Sequence, residues 1–287
     1  MRRYLKHRYN SPFTCSIPVP PREAFVQYVE VKIHDAVATI LMERPKTCNA
    51  LHPQLLEELS LAFSDVHQEK KVQAVILSGS GSHFCSGLDF NTLRAISELE
   101  TSEAMPQWFK IWERLSEVYE TMLRFPKPIV AAVDGGAIGA GLGLTLASDI
   151  IVCSQTAFFS APAIQYGLVA GSTAALLDFR FGSRVAADLL LTCRRLGAAE
   201  AFDLRLVHEP VSSSQIWVRA NEIASQCAKA PREAQQATKR ILNEGIGENL
   251  LTQLTAGAAQ SAAACTTEVA SEGIRAFLEK REAEWPS

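Results

Sequence analysis

The chain has 287 residues, 47% of them apolar and 21% charged, with a formal net charge of −3. That balance is globular: it excludes disorder, collagen and coiled coil, and a chain of this length buries a full core without staples. Seven cysteines, spread from Cys15 to Cys265 with no C-x-x-C, exclude a disulfide framework and a zinc site and point to a reducing compartment, the cytoplasm. The charge is uneven. Residues 1–22 hold five Lys/Arg (Arg2, Arg3, Lys6, Arg8, Arg22) and no acid, and the remainder carries a net −8, which argues against nucleic acid as the main partner. The basic head has the composition of a mitochondrial transit peptide, the alternative location, but Pro12, Pro18, Pro20 and Pro21 break any long amphipathic helix, so the reading is a disordered extension. The longest apolar stretch, 129–147, contains Asp134 and five glycines, which speaks against a membrane span.

Folding signals start near Phe25. Residues 25–33 alternate, with Phe25, Gln27, Val29, Val31 and Ile33 on one face, the period of a half-buried strand. Residues 37–42 form a second β-rich run, with His34-Asp35 as the hairpin turn. Pro53 opens a helix to about residue 69, with Leu55, Leu56, Leu59, Phe63 and Val66 on one face. A short strand at 74–77 runs into Ser78-Gly-Ser-Gly-Ser82. A long helix is expected around 107–123, then strands at 129–133, 150–153 and 158–159, with the glycine-rich run 135–143 between the first two. Beyond Thr173 the pattern is helical, at 173–181, 184–192, 198–204, 214–229, 232–243 and 266–284. Strand then helix, repeated, with a helical last third, describes an α/β core plus a helical tail. The expected division is 1–22 as extension, 23–210 as core and 211–287 as C-terminal helical region.

Common catalytic signatures are missing. There is no H-E-x-x-H, no P-loop, no G-x-S-x-G, and no third glycine to complete G-x-G-x-x-G at Gly139-x-Gly141, so no metal and no dinucleotide cofactor is expected. Two strand-to-glycine-to-helix junctions remain, 74–89 and 128–143. Glycine lets a ligand approach main-chain N–H groups, and two such junctions aimed at one point make an oxyanion hole. The alternative is that both are tight turns with close helix packing.

The residues themselves resemble a family. Glu43-Arg-Pro-Lys46, Asn49-Ala-Leu51, Phe84-Cys-Ser-Gly-Leu-Asp89, Lys127-Pro-Ile-Val-Ala-Ala-Val-Asp-Gly-Gly-Ala-Ile-Gly-Ala-Gly141, Ala147-Ser-Asp-Ile150, Ala157-Phe-Phe159 and Phe277-Leu-Glu-Lys-Arg281 are similar, in this order, to the crotonase (enoyl-CoA hydratase/isomerase) superfamily. The Ser-Gly-Leu-Asp and Gly-Gly-Ala-Ile-Gly-Ala-Gly spellings lean toward its dienoyl-CoA isomerase branch. The resemblance implies a spiral of ββα units with a C-terminal helical trimerisation region, a homotrimer or dimer of trimers, and an acyl-CoA substrate that brings coenzyme A with it. It implies backbone oxyanion donors at Leu88 and Ala140, a coenzyme A path along Ser86, Asp89, Phe90 and Asn91, and a coenzyme A-holding Lys280. Asp89 as a helix N-cap and Lys280 as a solvated helix end are the competing readings. RNA binding, known in the family, is the least favoured activity given the acidic body.

The pattern breaks at its acids. The two hydratase carboxylate positions are Gly143 and Ala163 here, and the further isomerase position is Gly171. General acid–base catalysis needs a titratable side chain within reach of the proton, which Gly and Ala cannot supply. Gln165 can orient water but takes no proton; Tyr166, Ser160, Cys85 and His83 are the remaining nearby candidates, with Tyr166 and Phe158-Phe159 read as core. Standard hydration is therefore in doubt. An acyl-CoA decarboxylase-like reaction, or an impaired acyl-CoA-binding paralogue, stands beside an enolate-stabilising isomerase or lyase. In a hydratase-shaped cavity, a Gly143→Glu/Ala163→Glu double variant should gain enoyl hydration. Arg205 takes the family's glycine position past a helix, where a left-handed cap would cost an arginine about 1 kcal/mol, so a changed loop with no direct role in catalysis is expected there.

Overall fold

The chain enters the fold as an antiparallel hairpin, β1 (Val29–His34) and β2 (Val37–Met42), closed by Asp35 at φ 51° with His34 opposite Val37. The structure is a computed structural model that describes residues 27–244 and 247–286; the basic head and Phe25 lie outside the described residues. Val29 is buried, but Val31 and Ile33, expected on the same buried face, are exposed. The reason is an edge strand that α1 (Pro53–Gln68) touches only at its start, where the buried Glu58 carboxylate accepts from the Gln27, Tyr28 and Val29 amides.

Four parallel strands follow on from β2: β3 (Ala74–Gly79), β4 (Ile129–Val133), β6 (Ile150–Ser154) and β9 (Glu209–Val211), giving the sheet order β1-β2-β3-β4-β6-β9. Between β3 and β4 run α2 (Phe90–Ser97) and α3 (Thr101–Arg124). The strands read as nearly continuous apolar runs because both faces are covered. Ala74, Ile76, Val130, Ala132 and Val152 face α7 (Ile216–Ala228), while Ala38, Ile40, Val75, Leu77, Ala131 and Val133 belong to the main core with α1 and α3. A smaller sheet, β5-β7-β8, comprises β5 (Gly136–Ile138), β7 (Phe158–Ser160) and β8 (Leu196–Gly197). Of these, only β7 was legible in the sequence.

The remaining helices are α4 (Ala140–Leu146), α5 (Gly171–Thr192), α6 (Ala198–Asp203), α8 (Arg232–Glu244), α9 (Gly247–Ala264) and α10 (Glu268–Glu279). The break expected near residue 182 is a kink inside α5, with Gly182 at φ 75°. Helix α3 starts six residues earlier than expected and carries Pro106 inside, where one intrahelical bond is forgone. Arg205 is left-handed, φ 63°, so it takes up the glycine-type cap past α6 where a changed loop was expected. The largest departure is α9, which the sequence reading leaves as loop. Its buried Leu250, Leu254, Ala258 and Ala262 recur every four residues, but small side chains dilute that stripe. They also let α9 lie against α5 backbone to backbone: a Cβ on Gly171 would stand 2.2 Å from the Gly257 carbonyl oxygen.

Candidate active site

The two glycine junctions meet. Asn49, buried and left-handed (φ 55°), staples the first loop: its Nδ2 donates to the Ser80 and His83 carbonyls (2.8 Å each) and its Oδ1 accepts from the Arg44 amide. The loop is then stitched to β5, with Cys85 N–H donating to Gly136 and Ile138 N–H to Cys85. At Gly87, φ is 94°, and a Cβ would lie 2.9 Å from the Ile138 oxygen and 3.4 Å from the Ala140 nitrogen, so only glycine lets the strands come this close. Leu51 and Asp89 bond across this loop, Leu51 N–H to Gly87 and Asp89 N–H to Leu51. Among the described residues, neither the Leu88 N–H nor the Ala140 N–H donates to a backbone acceptor. Both residues line a cavity of about 320 Å³.

That cavity is apolar over most of its wall, with Leu93, Trp112, Ile138, Leu168 and Phe277 prominent in it. Ser86, Asp89, Phe90, Asn91 and Ala163 line it too. The Asp89 carboxylate is already committed on both oxygens. Oδ1 caps α2 by accepting from the Asn91 amide (3.0 Å), and Oδ2 pairs with Arg44 (3.0 Å), both side chains largely buried. Ser86 donates to the Thr47 carbonyl. The Phe90 ring sits 4.0 Å from that of Phe277 on α10, and both meet Tyr166 edge-on at 5.2 Å, so the C-terminal helix closes over the cavity through an aromatic trio.

Two expected residues lie outside the lining. Gln165 is exposed on a single 3-10 turn, of which only Ala163 and Tyr166 reach the cavity, as the three-residue repeat requires. Lys280 is the exposed, left-handed C-cap of α10 (φ 55°); Phe277 and Leu278, within the same motif, line the cavity instead.

The three acid positions have different fates. Ala163 borders the cavity. At Gly143 a Cβ would stand 2.2 Å from the Tyr119 hydroxyl, so the space for an acid is filled by that phenol. At Gly171 the space is taken by the backbone of α9. The nearby titratable groups do not replace the acids. Burial pushes the Cys85 thiol up to about 12 and the Tyr166 phenol above its ordinary value. Cys85 and the buried Ser160 stay out of the lining, and His83 does so too, edge-on to Phe158 and bonded to Ser82. Sequence reasoning missed Trp112, Tyr119 and Thr173. The first two belong to a visible stripe on α3 (Trp108, Ile111, Trp112, Leu115, Tyr119, Met122), but periodicity names a buried face and not the atoms that reach a cavity.

Comparison with known proteins agrees with this architecture. The model of the enoyl-CoA hydratase/isomerase family matches residues 32–287. The chain is 33% identical over 226 residues to 4-chlorobenzoyl coenzyme A dehalogenase-2 of an Arthrobacter species, covering 78% of this chain and 80% of that one. It is 29% identical over 250 residues to the short-chain-enoyl-CoA hydratase of Clostridium acetobutylicum, covering 86% and 93%. Among solved structures, an enoyl-CoA hydratase/isomerase from Pseudoalteromonas atlantica matches at 27% identity and a TM-score of 0.78, covering 91% of this chain and 100% of that one. An enoyl-CoA hydratase from Bacillus anthracis matches at 28% and 0.71, covering 90% and 99%. The fold, the ordered motifs and these matches agree: the chain belongs to the enoyl-CoA hydratase/isomerase family, within the crotonase superfamily.

Proposed function

We propose that the protein binds an acyl-CoA thioester with its carbonyl oxygen between the Leu88 and Ala140 N–H groups, and stabilises an enolate without an enzymic carboxylate base. The observation that carries this reading is a pair of amides with no acceptor among the described residues, on an apolar wall where the acid positions are filled at 143 and 171 and hold only a methyl at Ala163. One oxyanion donor contributes about 2.7–4 kcal/mol to barrier lowering. Loss of carbon dioxide from an α-carboxylated thioester fits such a site. The Cα–carboxylate bond breaks, its electron pair enters the thioester as an enolate, and no base is needed until solvent protonates the α-carbon. An apolar wall also disfavours the carboxylate relative to neutral carbon dioxide. The coenzyme A path would use backbone and Ser86, Phe90 and Asn91, because the Asp89 carboxylate is occupied.

Malonyl-CoA and methylmalonyl-CoA, assayed for carbon dioxide release beside crotonyl-CoA assayed for hydration, test the proposal. Release from the first pair with negligible hydration is expected. Hydration at an ordinary rate would mean that an unrecognised base exists. Binding of acyl-CoA without turnover, and without deuterium exchange at the α-carbon, would leave an impaired binding paralogue. The proposal includes a homotrimer or dimer of trimers, supported by Leu191, Ile241 and Leu242, each about two-thirds exposed on the single chain, a surface that assembly would cover. Light scattering checks it. No helix among the described residues is long and apolar enough to cross a membrane.

A further inference from the structure

The phenol that fills the acid's place at Gly143 is bonded to the oxyanion turn. Tyr119 is fully buried, and its hydroxyl donates to the Ala140 carbonyl at 2.8 Å. Thr173, near the start of α5, lines the cavity, and its hydroxyl donates to the Gly139 carbonyl at 3.4 Å. Each hydroxyl carries one proton, Tyr119 giving its to the Ala140 carbonyl and Thr173 to the Gly139 carbonyl. The Gly139 carbonyl and the Ala140 N–H share one peptide plane. The two hydroxyls therefore border the peptides on both sides of the Ala140 Cα.

The turn needs such support. Gly139 is left-handed (φ 54°), and nothing stands within 4 Å of where its Cβ would be. Gly139-Ala140-Gly141 carries no side chain larger than a methyl, so no side chain of its own fixes the direction of the Ala140 N–H. We propose that Tyr119 and Thr173 are positioning residues that aim the Ala140 N–H into the cavity, a hydroxyl clamp built in the volume that an acid would otherwise occupy. The inference rests on the thioester reading of the site. It assigns the lost acid position a second use, in which Gly143 is small because Tyr119 must reach past it.

The test uses two probes on the full-length protein. Acetoacetyl-CoA is a β-ketothioester whose enolate absorbs in the near ultraviolet, and an S-alkyl-CoA thioether lacks the carbonyl. Affinity for both, and the enolate fraction of bound acetoacetyl-CoA across pH, are measured for the wild type, Tyr119→Phe and Thr173→Val. Each variant should lose about fivefold in enolate affinity, the worth of one neutral hydrogen bond, while thioether affinity stays within about twofold. Equal losses for the two probes in both variants would make the clamp merely structural, and an unchanged enolate would remove it altogether; either overturns the proposal. If Tyr119→Phe does not fold, Thr173→Val, which keeps the side-chain shape, decides alone on the same ratio. A wild-type protein that binds the thioether but does not favour the enolate would overturn the thioester reading and this inference with it, whereas a variant-specific result bears on the clamp alone.

Discussion

A methyl group at position 143 puts the filled acid site to a quantitative test. In an unhindered helix interior, Gly→Ala stabilises by about 1 kcal/mol. At Gly143, inside α4, the new Cβ would lie 2.2 Å from Tyr119 Oη, 2.4 Å from Cζ and 3.0 Å from Cε1. Carbon contacts normally sit at about 3.5–4.0 Å, so the overlap exceeds 1 Å against a ring that is fully buried and tied at its hydroxyl. Overpacking of this kind costs about 1–3 kcal/mol, and breaking the Tyr119–Ala140 hydrogen bond about 1 more. Set against the helix-propensity term, Gly143→Ala should destabilise by about 1–3 kcal/mol, a drop in Tm of about 2–5 °C for a chain of this size. Urea and thermal unfolding of Gly143→Ala, Tyr119→Ala and the double variant give the cycle. With the ring gone the methyl should be neutral or stabilising, so the coupling should be about 2–3 kcal/mol, where independent sites add within about 0.5. Wild-type stability for Gly143→Ala, or an additive cycle, would refute the reasoning. The same geometry corrects an expectation from the sequence: Gly143→Glu/Ala163→Glu should not hydrate crotonyl-CoA, because the cavity has no room for the first acid while Tyr119 is present.

Asp89→Ala strips the cap from α2 and leaves the largely buried Arg44 without its counter-ion, so unfolding free energy should fall by about 3–5 kcal/mol; a loss under 1 would class the pair with surface ion pairs. Burial raises the thiols of Cys85 and Cys153 to about 12 and of Cys265 to about 11, from 9.0. The folded state then holds protons that the unfolded state releases, so stability is full below pH 9 and declines as pH rises toward 11–12. Unfolding measured from pH 8 to 10.5 should show that decline, with a shallower slope for Cys153→Ala; equal slopes would contradict it. Phe277→Ala removes the ring over Phe90 and Tyr166, and should weaken S-alkyl-CoA binding about tenfold while speeding proteolysis of the C-terminal helix; unchanged values of both would show that α10 closes nothing.

The two glycine turns at the cavity were legible because close backbone approach demands glycine, and Gly87 and Gly139 stand at positions where φ is positive. The long helices and buried parallel strands were legible because their periodicities are strong, as in Leu55, Leu56, Leu59 and Phe63 on α1. Strands of two or three residues, such as β5 and β8, carry no period to read. Helix α9 hid because it packs through Gly257, Ala258 and Ser261, residues chosen for what they omit. Lys280 came from the resemblance, which says nothing of Phe277 in the same motif, and the contact of Phe277 with Phe90 joins elements too far apart in sequence to be read. Tyr119 lay beyond sequence reasoning for a simpler reason: its partner at Gly143 is 24 residues away, and an empty position does not say what fills it.

The crossing of α5 and α9 limits the side chains that this fold admits. A Cβ on Gly171 would collide with Gly257, and one on Gly257 would lie 2.5 Å from the Gly171 carbonyl carbon. The two residues thus hold each other at glycine. Any single substitution that placed a carboxylate at 171 would first have to force these helices apart. The crossing therefore keeps position 171 out of any chemistry that a side chain could perform.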